Sequence, residues 1–196
     1  TLTDFENNLS RVYTFLKKFF MQYPSLTLKY IDIGSGFPDH VRLKNLGHTL
    51  ADYFQSIVDS LGTLKDHHGF TFILEPGRTL VADAFDLITH VQVIKEHFDE
   101  TYAFLDAGIN LLPKQTLSQF SFSKINDDSI EEKVEKRMKK KEYILGGPLL
   151  FNNDILGRFR GNLKEGDLIH VSNVGAYCYN LAWELSYKKP RIVVEK

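Results

Sequence analysis

Two short apolar runs, Leu28–Ile33 and Phe70–Leu74, each break off at a polar loop, and a helical stripe separates them. Nothing else in the chain narrows the fold as much. The first run suits a strand buried on both faces and stops at Gly34. The second stops at Glu75. Between them Leu46, Leu50, Phe54, Ile57 and Leu61 recur at helical spacing, with Gly62 as the closing residue. Strand, helix and strand in that order predict a parallel pair, with Gly36 and Glu75 at the same sheet end. An earlier stripe of Phe5, Leu9, Val12, Leu16, Phe19 and Phe20 predicts a helix from about Asp4 to Gln22. Thr3 and Glu6 have capping-box spacing, and Pro24 ends the helix. The first part is therefore a piece of a parallel α/β fold, with its chemistry at the C-terminal strand ends.

The pattern changes near Ala84. Phe85–Lys95, Thr101–Asp106, Tyr143–Leu145, Asp167–Val171 and Arg191–Glu195 read as strands between Gly, Asn and Pro turns. The expected organisation is an α/β segment over residues 1–84 and a mainly-β domain over 85–196. Ser129–Glu142 carries Lys136, Arg137, Lys139, Lys140 and Lys141. It reads as a solvated surface helix or loop, or else as a docking patch for an anion.

Charge excludes some partners. Lys+Arg of 24 against Asp+Glu of 25 leaves a net charge of −1, which gives no attraction to nucleic acid or an anionic membrane. No apolar run is long enough to span a bilayer. Cys178 is the one cysteine, so there is no internal disulfide, and a reducing, cytoplasmic setting is expected. Cys178 itself reads as an ordinary packed side chain. The chain opens Thr1-Leu2-Thr3, so its first residue is not expected to be the translational start. The seven histidines lack metal-ligand spacing, and no metal is expected. His67-His68 reads as an exposed loop, and His40 lies near the glycine loop without a role.

The loops hold the chemistry. A phosphate needs backbone N–H groups at close range, which glycine permits. Gly34-Ser35-Gly36 follows a strand, where such a site belongs; a plain tight turn is the alternative. In Glu75-Pro76-Gly77-Arg78, Pro76 fixes the turn, Gly77 opens a donor and Arg78 offers a charged fork. Glu75 at a strand end can keep a pyridine nitrogen protonated, which makes the ring an electron sink. Alternatively, Glu75 and Arg78 pair with each other. Tyr177, in Gly175-Ala176-Tyr177, brings a hydroxyl for a phosphate, or packs beside the turn.

These motifs in this order resemble the C-terminal portion of the ornithine/diaminopimelate decarboxylase family, the fold-type III pyridoxal-phosphate enzymes. Asp32-Ile33-Gly34-Ser35-Gly36-Phe37-Pro38 is similar to that family's glycine segment, and Glu75-Pro76-Gly77-Arg78 matches its motif unchanged. Asp106-Ala107-Gly108, Gly147-Pro148, Gly166-Asp167 and Gly175-Ala176-Tyr177 follow in family order. The resemblance implies the C-terminal part of a (β/α)8 barrel followed by a β-domain, in a head-to-tail homodimer with shared active sites. It implies pyridoxal 5'-phosphate held by Gly36, Gly77, Arg78 and Tyr177, with Glu75 on the ring nitrogen as the catalytic residue. It also places the Schiff-base lysine and a ring-stacking histidine upstream, in segments this chain does not contain.

Departures from the family pattern shape the substrate expectation. Leu150 stands where the family has its proton-transfer cysteine, and Phe151 where it has an acid. Lys114 and Ser118 fall at an arginine and a tyrosine of the diaminopimelate branch, and Gln119 where ornithine decarboxylases carry an acid. Lys114 is a candidate for a substrate carboxylate, or a surface lysine. With Gln119, Leu150 and Phe151 all lacking a charge, a distal ammonium would be buried without a partner; the alternative is that another residue, upstream, does this job. The expectation is an amino-acid decarboxylase whose substrate is not a basic diamino acid. The alternatives are a catalytically inactive regulatory homologue and a fold-type III racemase.

Overall fold

The protein is described by a computed structural model covering residues 1–113, 120–125, 140–185 and 187–194. It divides into two compact units, Thr1–Leu80 and Val81–Lys196. The boundary thus falls a few residues before Ala84. The reason is local: the 3-10 turn Ala82–Ala84 is bound to the second unit, with Gly175 N donating to Ala82 O at 2.8 Å and Val174 N to Phe85 O at 3.1 Å.

In the first unit, helix α1 (Leu2–Gln22) packs on helix α3 (Leu50–His68). The stripe on α1 points inward as its spacing predicts, with Leu9, Leu16 and Phe20 buried. Its cap differs from expectation. Thr1, not Thr3, closes the capping box with Asp4, because the helix begins at Leu2 and leaves Thr3 inside it. The single helix expected around Leu46–Leu61 is two. Helix α2 (His40–Leu46) ends on Gly47 at φ 70°, and Thr49 with Asp52 starts α3 through a capping box. Gly62 does not end α3; the helix runs through it and closes on Gly69 at φ 72°. A left-handed residue is what stops a helix, and Gly62 sits in helical backbone.

Strands β1 (Tyr30–Asp32) and β2 (Thr71–Ile73) are parallel, in the register Tyr30↔Thr71, Ile31↔Phe72 and Asp32↔Ile73. They are not buried on both faces. Ile31 and Phe72 pack on the core, while Tyr30, Thr71 and Ile73 are exposed. Side chains alternate across a strand, and this unit covers one face of the pair.

The second unit is a six-stranded mixed sheet in the order β5-β8-β3-β4-β6-β7. The strands are β3 (Leu87–His97), β4 (Glu100–Leu105), β5 (Ser121–Lys124), β6 (Lys141–Gly146), β7 (Ile155–Gly161) and β8 (Leu168–Ser172). All neighbours are antiparallel except β4 and β6. Val91, Leu105, Leu145, Ile169 and Val171 form the centre of its core. Sequence patterning finds four of the six strands. It misses β5, a short Ser-Phe-Ser-Lys alternation, and β7, whose Gly157 and Gly161 read as turns. Gly157 is small because the Phe122 ring lies over it. The strand expected at Arg191–Glu195 does not form over residues 191–194, which have no strand neighbour among the described residues. In the charged segment, Lys136, Arg137 and Lys139 lie outside the described residues; Lys141 opens β6 and pairs with Glu96.

Gly69 tests the cap argument. A Cβ there meets no atom within 4 Å, so Gly69→Ala adds left-handed strain alone. The expected loss is about 1–2 kcal/mol, read as a lowered midpoint in denaturant unfolding of the full-length protein. An unchanged midpoint would show that α3 does not depend on this cap.

Candidate functional site

The parallel register carries both strand-end loops off the same end, as the crossover rule predicts. Ile33 N donates to Ile73 O at 2.9 Å, and Glu75 N donates to Gly34 O at 2.8 Å. The glycine loop and the Glu75-Pro76-Gly77-Arg78 turn are thus joined backbone to backbone. Asp32 Oδ1 accepts from Gly34 N at 2.7 Å and sets the start of the loop. Gly34 at φ 75° and Gly36 at φ 103° then turn the chain so that Phe37 enters the core against Phe5, Tyr53 and Phe54. A Cβ on either glycine meets no atom within 4 Å, so the space beside the loop is open.

Thr79 ties the two motifs a second time. Its hydroxyl donates to Pro38 O at 2.8 Å and lies 3.2 Å from Phe37 O. Thr79 belongs to helix α4 (Gly77–Val81), which carries Arg78. At the loop's far end Asp39 is fully buried and caps α2, its Oδ1 accepting from Arg42 N at 3.0 Å. Its Oδ2 is buried with no hydrogen-bond partner among the described residues. Glu75 differs from these aspartates. Its side chain is exposed and makes no hydrogen bond or ion pair among the described residues. The reading in which Glu75 and Arg78 merely pair therefore does not hold within the described residues. Gly36, Glu75, Gly77 and Arg78 are grouped on one end of the first unit.

Tyr177 lies in the second unit, at φ 60° and 41% exposed. The turn that presents it depends on Gly175, where a Cβ would fall on the carbonyl oxygen of Val81. Beyond Tyr177 the chain returns to the core at Cys178, which is 3% exposed. Burial among apolar side chains pushes that thiol up to about 11. It is a packed side chain, as the sequence predicts.

Leu150 and Phe151 lie in the loop between β6 and β7. Leu150 is fully exposed, and the Phe151 ring meets Trp183 edge-on at 6.2 Å. Lys114 and Gln119 lie outside the described residues, as does Ser118. His67-His68 is not an exposed loop: both end α3, and the His68 ring stacks on Phe20 at 3.6 Å. Among the described residues no cluster of His, Cys, Asp or Glu is arranged to hold a metal ion, and no helix is long and apolar enough to cross a membrane. Sequence reasoning missed Thr79 and Asp154. Thr79 leaves no signal beyond its place after the Arg78 motif. Asp154 leaves an indirect one in two glycines that make room for it.

The family described as pyridoxal-dependent decarboxylase, C-terminal sheet domain, matches residues 12–175. The chain belongs to this family. It is 30% identical over 153 residues to the diaminopimelate decarboxylase of Haemophilus influenzae, covering 78% of this chain and 35% of that protein. It is 28% identical over 169 residues to that of Vibrio cholerae, covering 84% of this chain and 37% of that protein. Among solved structures it is similar to the diaminopimelate decarboxylase of Helicobacter pylori complexed with L-lysine, at 25% identity and a TM-score of 0.68, over 93% of this chain and 43% of that one. The chain thus spans about a third of the length of the curated relatives it matches.

The comparisons correct the substrate expectation. The relatives are named for diaminopimelate, a diamino acid, and one of the solved structures holds L-lysine. An uncharged Leu150 and Phe151 therefore do not argue against a diamino substrate. The expectation rested on Gln119, Leu150 and Phe151 carrying the distal contact; the relatives' names favour the alternative, that another residue meets the charge. The relatives are also named as decarboxylases, which gives no support to a racemase or a regulatory homologue.

Cys178 supplies a pH test. Its folded value of about 11 lies above the ordinary 9.0, so the unfolded chain loses this proton first. The contribution to stability is full below the ordinary value and is lost as pH rises through that window. At pH 8 Cys178 should resist iodoacetamide in the native full-length protein and react in denaturant, read at its own tryptic peptide. Rapid native labelling would show that the thiol is not buried.

Proposed function

We propose that this chain is the C-terminal portion of a pyridoxal-phosphate-dependent decarboxylase acting on a diamino acid of the diaminopimelate class. The observation that carries the reading is the Glu75 N to Gly34 O bond, which joins the Glu75-Pro76-Gly77-Arg78 turn to an open glycine loop. In this reading the first unit is the end of a (β/α)8 barrel, residues 1–84 by sequence, and the second is the β-domain. The full-length protein works as a cytoplasmic homodimer with shared active sites, and its lysine for the cofactor lies outside this chain.

The donor set fits the cofactor. An open loop with two left-handed glycines and a nearby guanidinium suit a phosphate, and an exposed carboxylate without an internal partner suits a ring nitrogen. When bound, pyridoxal phosphate would supply the electron sink that decarboxylation needs. Gly36 and Gly77 would offer backbone N–H donors to the phosphate, and Arg78 and Tyr177 would be further phosphate contacts. Glu75 would keep a proton on the ring nitrogen. Leu150 has no proton to give, so water or another side chain delivers the one that replaces carbon dioxide. Lys114 and Gln119 remain candidates for substrate contact, with Leu150 and Phe151 as apolar ones.

The full-length protein should release carbon dioxide from diaminopimelate and show a visible aldehyde-derived absorption band. Arg78→Ala and Tyr177→Phe should each weaken cofactor retention, Arg78→Ala by roughly 10- to 100-fold from the loss of a charge-assisted bond. Glu75→Ala should keep the band and lower turnover by roughly 100-fold. Unchanged turnover in Glu75→Ala would remove the role given to Glu75. No band in the wild type would remove the reading as a whole.

A further inference from the structure

Asp154 is 3% exposed, and its carboxylate joins two loops of the second unit. Oδ1 accepts from Ile109 N at 2.7 Å, and Oδ2 accepts from Leu149 N at 2.7 Å. Its backbone closes the second loop as well: Gly147 N donates to Asp154 O at 2.8 Å, and Asp154 N to Phe151 O at 3.0 Å. Both loops make room for the carboxylate. A Cβ on Gly108 would lie 2.7 Å from Oδ1, and one on Gly147 would fall on the carboxylate itself. Neither glycine has a positive φ, so neither is needed for turn geometry.

A third segment completes the circuit. Asn110 follows Ile109, is buried, and holds Trp183 twice: Trp183 N donates to Asn110 O at 3.1 Å, and Asn110 Nδ2 donates to Trp183 O at 3.3 Å. Trp183 in turn meets the Phe151 ring. The path Asp154, Ile109, Asn110, Trp183, Phe151 therefore returns to the loop that Asp154 anchors. Leu150 stands exposed at its tip.

We propose that Asp154 is a positioning residue for the reaction, holding the Leu150–Phe151 tip in the place where it meets substrate. This rests on the decarboxylase reading for the word substrate, and on the hydrogen bonds alone for the clamp. Leu150 is fully exposed and Phe151 meets the Trp183 ring through its side chain, so the tip's position comes mainly from its base. A carboxylate with one oxygen on each loop supplies that, and a carboxamide cannot. In Asp154→Asn one oxygen becomes an NH2 group that faces a backbone N–H, donor against donor.

The test uses the full-length holoenzyme and Asp154→Asn. Hydrogen exchange of peptides spanning Ile109 and Leu149 should accelerate by about tenfold or more, while β3 and β8 keep wild-type protection. The cofactor band should stay, and KM for diaminopimelate should rise several-fold with a smaller change in kcat. Gly147→Ala places a methyl group on the same carboxylate and should give the same pattern; it decides the matter if Asp154→Asn does not fold. Wild-type exchange in both loops would overturn the clamp. Faster exchange with unchanged KM and kcat would overturn the positioning role. If the wild type releases no carbon dioxide, the decarboxylase reading fails, while the exchange result still decides the clamp.

Discussion

The hydrogen bond from Glu75 N to Gly34 O fixes what the first unit can present. It continues the parallel ladder one step beyond the last paired residues, Asp32 and Ile73, so both loops leave the sheet from the same end. An antiparallel pair would send them to opposite ends, and the two motifs would share nothing. The helix between the strands is what permits the parallel arrangement. Core packing then holds the ladder in place: Phe37, just after the loop, packs on α1 and α3 through Phe5 and Tyr53. A substitution that moved Phe37 would thus act on the glycine loop without touching it.

The second unit solves a similar problem with a different device. A side chain at Gly108 or Gly147 would run into the Asp154 carboxylate, which fills the room beside both loops. Each bond to that ionised group is worth about 1.5–3 kcal/mol, and removing the acceptor would leave two amides without partners. Asp106 acts in the same way at the end of β4, accepting from the Thr89 hydroxyl and from His90 N at 2.9 Å. Asp167 accepts from Lys164 N at 2.8 Å and pairs with Lys124 at 3.1 Å. These loops are ordered by aspartates placed on backbone N–H groups, which packing alone does not achieve in short glycine-rich turns.

How much of this was legible depended on whether the signal was periodic. The α1 stripe follows from spacing, because a core selects apolar side chains at the period of the element, while the two parallel strands show as short apolar runs that stop at polar loops. Gly62 misled because composition does not reveal φ; Gly69, seven residues later, is the one in the left-handed region. Strand β7 was hidden because Gly157 is a packing glycine under Phe122, and a packing glycine looks like a turn glycine in one sequence. The strand expected at Arg191–Glu195 has the right composition, but a strand also needs a neighbour to bond with. Gly36, Glu75, Gly77 and Arg78 were legible as a group because their order is specific. Asp154 has no signal of its own, since its partners at Ile109 and Leu149 are backbone amides that leave no mark on residue identity.

The contrast between Glu75 and the loop aspartates bears on function. Asp32, Asp39, Asp106, Asp154 and Asp167 each give at least one oxygen to a backbone N–H, and that use accounts for their presence without any ligand. Glu75 orders nothing through its side chain among the described residues, although its backbone stands at the point where the two loops join. A longer side chain is poorly suited to the short local turns that Asp makes, and well suited to reaching away from the backbone. The strand end therefore holds the Glu75 backbone in place and leaves its carboxylate exposed, without a partner among the described residues. In the decarboxylase reading proposed above, this division between a fixed backbone and an unengaged side chain suits a carboxylate set against a ring nitrogen.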